Sequence, residues 1–150
     1  MKVTLRDVTE ADLPLFYLHQ ADPAVAAMAG FRPRDEPTFY AHWREKVLPN
    51  PENRKHAIVT ETGEVAGNIL AFDLHGKRLV GYWLGREHWG KGIASAALQQ
   101  LLKLETRRPL HAYVIPSNEA SMRVLEKNGF VRGAQRVDAG GVLEVLFTLE

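Results

Sequence analysis

Cysteine is absent from the chain, which excludes a disulfide framework, a thiolate metal site and a cysteine nucleophile at the outset. No apolar run approaches the roughly 20 residues of a membrane span. Residues 1–10 lack the basic start and apolar stretch of a secretory leader, so the expected address is the cytoplasm, with no membrane partner. Charge of one sign is also missing: Lys plus Arg number 19 against 18 for Asp plus Glu, leaving +1. That balance gives no electrostatic footprint for nucleic acid, although a local patch could still hold one small anion. No two of the six histidines stand at metal-ligand spacing beside a carboxylate, and no metal is expected.

What is present describes a folded chain. Apolar residues at 45% and charged residues at 25% exclude a disordered, collagenous or low-complexity reading. A length of 150 residues matches one domain.

Val3 and Leu5 alternate with polar neighbours, a short strand over residues 2–7. Thr9 to Asp12 form a capping-box start for a helix that carries Leu13, Phe16 and Tyr17 on one side. Residues 22–34 show no regular period. Phe39, Trp43 and Val47 recur at every fourth position, the stripe of a helix over residues 37–48, which Pro49 and Pro51 end. The period then becomes two: strands over residues 56–60 and 65–74 around a Thr62-Gly63 turn, a turn at 75–78, and a third strand over 79–84. A helix over residues 94–104 gathers Ala94, Ala97, Leu98, Leu101 and Leu102 on one face, with Pro109 beyond its end. A strand over 110–115 and a helix over 119–127 follow, the latter closed by Asn128-Gly129. Two last strands flank residues 138–141. With no repeat, linker or composition shift, residues 1–150 read as a single α/β domain.

The chemistry concentrates where the third strand meets the helix at 94–104, in Gly81-Tyr82-Trp83-Leu84-Gly85 and Trp89-Gly90-Lys91-Gly92-Ile93-Ala94-Ser95. A Gly-rich turn opening a helix aims several backbone N–H groups at one point, and the helix dipole adds positive charge there. A phosphate or pyrophosphate is the natural occupant; an ordinary tight turn is the bland alternative. The spacing is neither the Walker form nor Gly-x-Gly-x-x-Gly.

This segment together with Pro116-Ser117-Asn118 through Gly129-Phe130 resembles motifs A and B of the Gcn5-related N-acetyltransferase (GNAT) superfamily, nearest to its ribosomal-protein N-terminal acetyltransferase-like branch. The resemblance covers residues 56–135. It implies a mixed, mostly antiparallel sheet flanked by helices, whose fourth and fifth strands, at 79–85 and 110–115, splay apart to hold acetyl-CoA. Tyr82, Trp83, Leu84 and Gly85 are then expected along the pantetheine arm. The amides of Trp89, Gly90, Lys91, Gly92, Ile93, Ala94 and Ser95 are expected on the pyrophosphate. Trp89 departs from the pattern, since the superfamily usually has Gln or Arg there.

Many relatives protonate the leaving thiolate with a tyrosine, and that position here is Leu125. The resemblance leaves Ser121 as proton donor or hydrogen-bond donor to the sulfur. Asn118 is either a pantetheine or water contact or the helix cap. No general base is fixed: His56, Asp73, His75 and His111 sit near strand ends but read more readily as solvated turn or strand residues, and Tyr113 is uncommitted. Arg107 and Arg108 complete a helix dipole or meet the adenosine phosphate. Trp43, Trp83 and Phe39 are core or line an acceptor pocket.

The implied activity is acetyl-CoA-dependent transfer of an acetyl group to a primary amine, on a protein N-terminus or a small molecule, by direct attack in a ternary complex. A catalytically silent acyl-CoA-binding sensor or interaction module is the rival that Leu125 keeps open. Acceptor choice in this fold falls to residues 9–48 and 135–142. Asp22, Asp35 and Glu36 are too scattered to argue for a polyamine. A homodimer through the sheet edge is common in the superfamily.

Overall fold

The period-two stretches become seven strands: β1 (Val3–Asp7), β2 (Arg54–Thr60), β3 (Val65–Leu74), β4 (Lys77–Leu84), β5 (Leu110–Val114), β6 (Val131–Val137) and β7 (Leu143–Leu149). A computed structural model describes residues 2–150. It joins the strands in one sheet of order β1-β2-β3-β4-β5-β7-β6. Every neighbouring pair is antiparallel except β4 with β5. The expected mixed, mostly antiparallel architecture is thus present.

The parallel pair is short. Only Arg78 with Leu110 and Leu79 with His111 are in register. Beyond Leu79 the two strands diverge, so the β5-facing edge of β4 is left without a strand partner up to Leu84. A wedge opens between strands that are tied at their other end.

Five α-helices cover the two faces: α1 (Leu13–Ala21), α2 (Pro23–Ala29), α3 (Glu36–His42), α4 (Ile93–Leu104) and α5 (Glu119–Lys127). Strand alternation sends successive side chains to opposite faces. Ile58 and Ile69 join Leu98, Leu101 and Leu125 in a core under α4 and α5. Ala57 and Leu70 join Leu13, Phe16, Phe39 and Trp43 under α1 and α3.

Beyond shifts of one or two residues at element ends, three regions differ from the sequence reading. Residues 22–34 contain α2: the Asp22 side chain accepts from Ala24 N–H, Pro23 stands at the first turn, and Gly30 closes the helix at φ 68°. Its sequence is almost wholly apolar, so no amphipathic stripe announces it. The turn at 75–78 shrinks to His75-Gly76, both at positive φ, and β4 starts at Lys77. The helix at 37–48 is α3 followed by a π-helical turn at Trp43–Val47. β6 forms one sheet edge with all seven residues exposed. Among the described residues no helix is long and apolar enough to cross a membrane.

Candidate active site

The wedge, the turn after β4, the N-terminal end of α4 and one side of α5 enclose a cleft of about 360 Å³. Tyr82, Trp83, Leu84, Trp89, Gly90, Gly92, Ile93, Ala94, Ser95, Asn118 and Ser121 all line it. Gly85 and Lys91 do not. Gly85 packs away from the cleft, where a Cβ would come 2.7 Å from His19 Nε2. Gly90 and Gly92 have φ of 72° and 77°, the left-handed region that disfavours any side chain.

Ala96 N–H donates back to Gly92 O, closing the first turn of α4. The helix has no side-chain cap, and among the described residues the amides from Gly90 to Ser95 find no protein acceptor. Six uncommitted N–H donors at a helix N-terminus fit a diphosphate. Arg123 and Lys127 on α5 also line the cleft and bring cations that the motif comparison did not single out. The α2 residues Val25, Met28 and Ala29 add an apolar wall. Their helix carried no period to mark it.

On the α5 side the Tyr82 hydroxyl lies 2.7 Å from Ser121 Oγ. Asn118 is the cap of α5, its Oδ1 accepting from Ser121 N–H at 3.1 Å, so the same residue that starts the helix fixes Ser121. Burial pushes the Tyr82 phenol up to about 12, although the Ser121 hydrogen bond pulls the other way. It therefore stays protonated, as a donor must. Leu125 is fully buried in the core. A phenol does enter the cleft, from β4, and the signal was available: Val80, Tyr82 and Leu84 alternate onto one strand face.

The other candidates lie elsewhere. His56 is level with Tyr82 in register but two strands away, through Ile69, roughly 10 Å at ordinary strand spacing. Burial, then Arg54, lowers its pKa. His111 Nδ1 is 3.0 Å from Thr148 Oγ1, His75 occupies the β3–β4 turn, and Asp73 pairs with Arg78 and Arg107. Tyr113 lies under the Arg136 guanidinium. Arg108 donates to Glu105 O at 2.8 Å, at the end of α4. None of these lines the cleft. Trp43 and Phe39 are buried core residues, and with Trp83 they also border a second, smaller cavity.

A wedge beside an uncapped, glycine-led helix is the architecture of enzymes that draw an acyl group from acetyl-CoA. The family model described as acetyltransferase (GNAT) domain matches residues 2–131, and the chain belongs to that family of N-acetyltransferases, with acetyl-CoA as co-substrate. It is similar to an uncharacterised N-acetyltransferase, p20, of Bacillus licheniformis, at 29% identity over 99% of this chain and 92% of the relative. The fold is shared with a Vibrio cholerae spermidine N-acetyltransferase solved with CoA and spermine, at 16% identity, 97% and 93% coverage and a TM-score of 0.82. It is also shared with an aminoglycoside acetyltransferase solved with coenzyme A, at 21% identity, 99% and 94% coverage and a TM-score of 0.81.

Proposed function

We propose that the chain acetylates a primary amine, on a small molecule or a protein N-terminus, by direct attack on acetyl-CoA within a ternary complex. The observation that carries this reading is the Tyr82–Ser121 hydroxyl pair standing in the cleft beside the unpaired edge of β4. That bare edge offers backbone N–H groups for the pantetheine arm and for a carbonyl oxygen gaining charge. The amide cradle from Gly90 to Ser95 supports the pyrophosphate.

Position supplies much of the rate. The amine gives up one proton as the amide forms and the departing thiolate takes one up, so transfer is proton-neutral. Ser121 hydrogen-bonds the sulfur, and Tyr82 behind it keeps the serine hydroxyl oriented and polarised. An α-amine, with a pKa of about 7.7 to 8.0, is already partly neutral near pH 7 and asks little of a base. The relatives in fold are a spermidine N-acetyltransferase and an aminoglycoside acetyltransferase, which supports a small-molecule amine here. Leu125 kept a silent sensor open; the Tyr82 hydroxyl beside Ser121 supports transfer instead.

Thiol release from acetyl-CoA across a panel of amines and free N-terminal peptides, run beside calorimetric acetyl-CoA binding, tests the reading. Amine-dependent release is the expected result. Binding without release from any amine assigns the chain to the sensor class instead.

A further inference from the structure

On the face of the sheet opposite Ser121, α1, α3 and the segment linking α2 to α3 close over β3 and β4. They leave a cavity of about 80 Å³, too small for a whole drug-sized ligand but ample for the polar end of a small one. Its wall is mostly aromatic, with Phe31, Phe39, Trp43 and Trp83 among the lining residues. Trp83 also lines the coenzyme cleft, so the two spaces meet at β4.

Four polar side chains interrupt the aromatic wall, Gln20, Arg34, His42 and Asn68, and two of them carry groups that the protein leaves unsatisfied. Asn68 is 3% exposed and its Oδ1 has no hydrogen-bond partner. It pairs across strands with Trp83, which puts both side chains on the cavity face. A carbonyl buried to this degree is normally hydrogen-bonded, and one left open in a cavity points to an absent donor. The second group is Arg34, whose guanidinium stacks 4.8 Å from the Phe31 ring centroid. Among the described residues it forms no ion pair and its side chain makes no hydrogen bond; burial alone perturbs it.

Arg34 is nevertheless held in place. Gln20, itself buried, accepts from Arg34 N–H at 2.8 Å and donates to Arg34 O at 3.0 Å. The backbone is clamped while the fork of the side chain stays free. Among the described residues no acid lines the cavity: Asp22 pairs with Arg86, Asp35 caps α3 at Thr38 N–H and Glu36 lines a different pocket. His42, the remaining titratable group lining the cavity, is kept neutral by burial and then by Arg34. The cavity therefore holds one uncompensated cation and one uncompensated acceptor.

We infer that this cavity anchors the acceptor, and that the acceptor is a small amine bearing a carboxylate, of the amino-acid class: Arg34 takes the carboxylate and Asn68 Oδ1 accepts an N–H of the same molecule. A guanidinium grips a carboxylate through two parallel hydrogen bonds, which fixes orientation as well as charge. An anion-free polyamine would set further positive charge against Arg34 with no carboxylate in the cavity to receive it. The inference rests on the acetyl-transfer reading, so binding and turnover are measured separately.

CoA-loaded protein is titrated calorimetrically with amino acids and with their carboxamides, with spermidine as the anion-free amine; the same compounds then serve as acceptors with acetyl-CoA. Acids are expected to bind at least tenfold tighter than their amides. Arg34→Gln should bring that ratio to within twofold of one, and Arg34→Lys should leave it intermediate. Equal binding of acid and amide, no binding of either, or tighter binding of spermidine overturns the subsite. Selective acid binding with no acetylation upholds the subsite and removes the transfer reading; acetylation without acid preference does the reverse. Should Arg34→Gln fail to fold, the wild-type acid-to-amide ratio alone decides.

Discussion

In the proposed mechanism Tyr82 and Ser121 divide one task between a strand and a helix. The serine stands at the start of α5, where Asn118 fixes its backbone, and the phenol reaches it from β4 at 2.7 Å. Removing the serine hydroxyl deletes one hydrogen bond to a developing anion, and removing the phenol deletes the bond that orients and polarises that serine; each is worth roughly 1 to 1.5 kcal/mol, or about tenfold in rate. Ser121→Ala and Tyr82→Phe should each lower kcat by about that factor and leave acetyl-CoA affinity within twofold, and the double variant should lose little more than either alone. Unaltered kcat in Ser121→Ala takes the serine out of the mechanism. Because the phenol is held protonated to about 12, kcat should not decline as pH passes about 10, where an ordinary tyrosine ionises. A decline there that Tyr82→Phe abolishes contradicts the donor role. The place of Ser121 in the cleft was legible through its motif. The Tyr82 contact with it was not, because contact across β4 and α5 is set by tertiary packing that no local period encodes.

The elements around the site depend on backbone conformations that particular residues supply. Gly92 enters α4 at φ 77°, and although a Cβ there would meet nothing within 4 Å, the left-handed conformation costs an alanine about 1 to 3 kcal/mol. Gly92→Ala should relieve that strain by rotating the turn, which re-aims the amide cradle. We expect acetyl-CoA affinity to fall at least tenfold with a loss of a few degrees in Tm; full affinity in calorimetry removes the turn from the binding site. The entry to α1 rests on charge. Arg6 donates to both Asp12 carboxylate oxygens, at 2.8 and 2.7 Å, and Thr9 N–H adds a third contact. The Arg6 hydrogen bond above all holds the Asp12 carboxyl below its ordinary value. That depression contributes stability above the ordinary carboxylate value of about 3.9 and is lost as pH falls through the lowered value. Asp12→Asn should cost about 1 kcal/mol near pH 7, modest because Arg6 stays half in water. The gap between the two proteins should close in strong acid; a gap that persists there means packing, not charge, is at work. Among the elements, α4 and α5 announced themselves by caps and period. α2 was missed although Asp22-Pro23 and Gly30 bracketed it, because a helix apolar on every side shows no periodicity.

At the scale of the molecule, the wedge works because its two strands are joined at one end and free at the other. That closed end coincides with a buried ion pair. Arg78, at the start of β4, donates to Glu105 from Nε at 3.0 Å and from Nη2 at 2.7 Å, tying β4 to the end of α4. The same guanidinium reaches Glu52 O at 2.8 Å, and Arg54 of β2 stands 3.7 Å from Glu105. Burial alone would raise the Glu105 carboxyl; the Arg78 hydrogen bond, the Arg107 amide and the charges of Arg78 and Arg54 outweigh it and hold the group below its ordinary value. None of this geometry was readable from local pattern, since period two does not distinguish a parallel neighbour from an antiparallel one. The splayed fourth and fifth strands were foreseen only through resemblance to a family. Glu105→Gln leaves Arg78 buried beside a neutral amide, and breaking a buried pair in this way costs about 3 to 5 kcal/mol. The lower end is expected, because Asp73 remains 3.4 Å from Arg78. Urea unfolding near pH 7 should show that loss. The depressed Glu105 contributes its stability above the ordinary glutamate value of about 4.3 and loses it as pH falls through the lowered value, so the two proteins should converge in acid. If the pair also sets the angle of the wedge, the variant binds acetyl-CoA more weakly at temperatures where it is still fully folded. A variant that is destabilised yet binds with wild-type affinity confines the pair to a structural role and leaves the opening to the packing of α4 and α5.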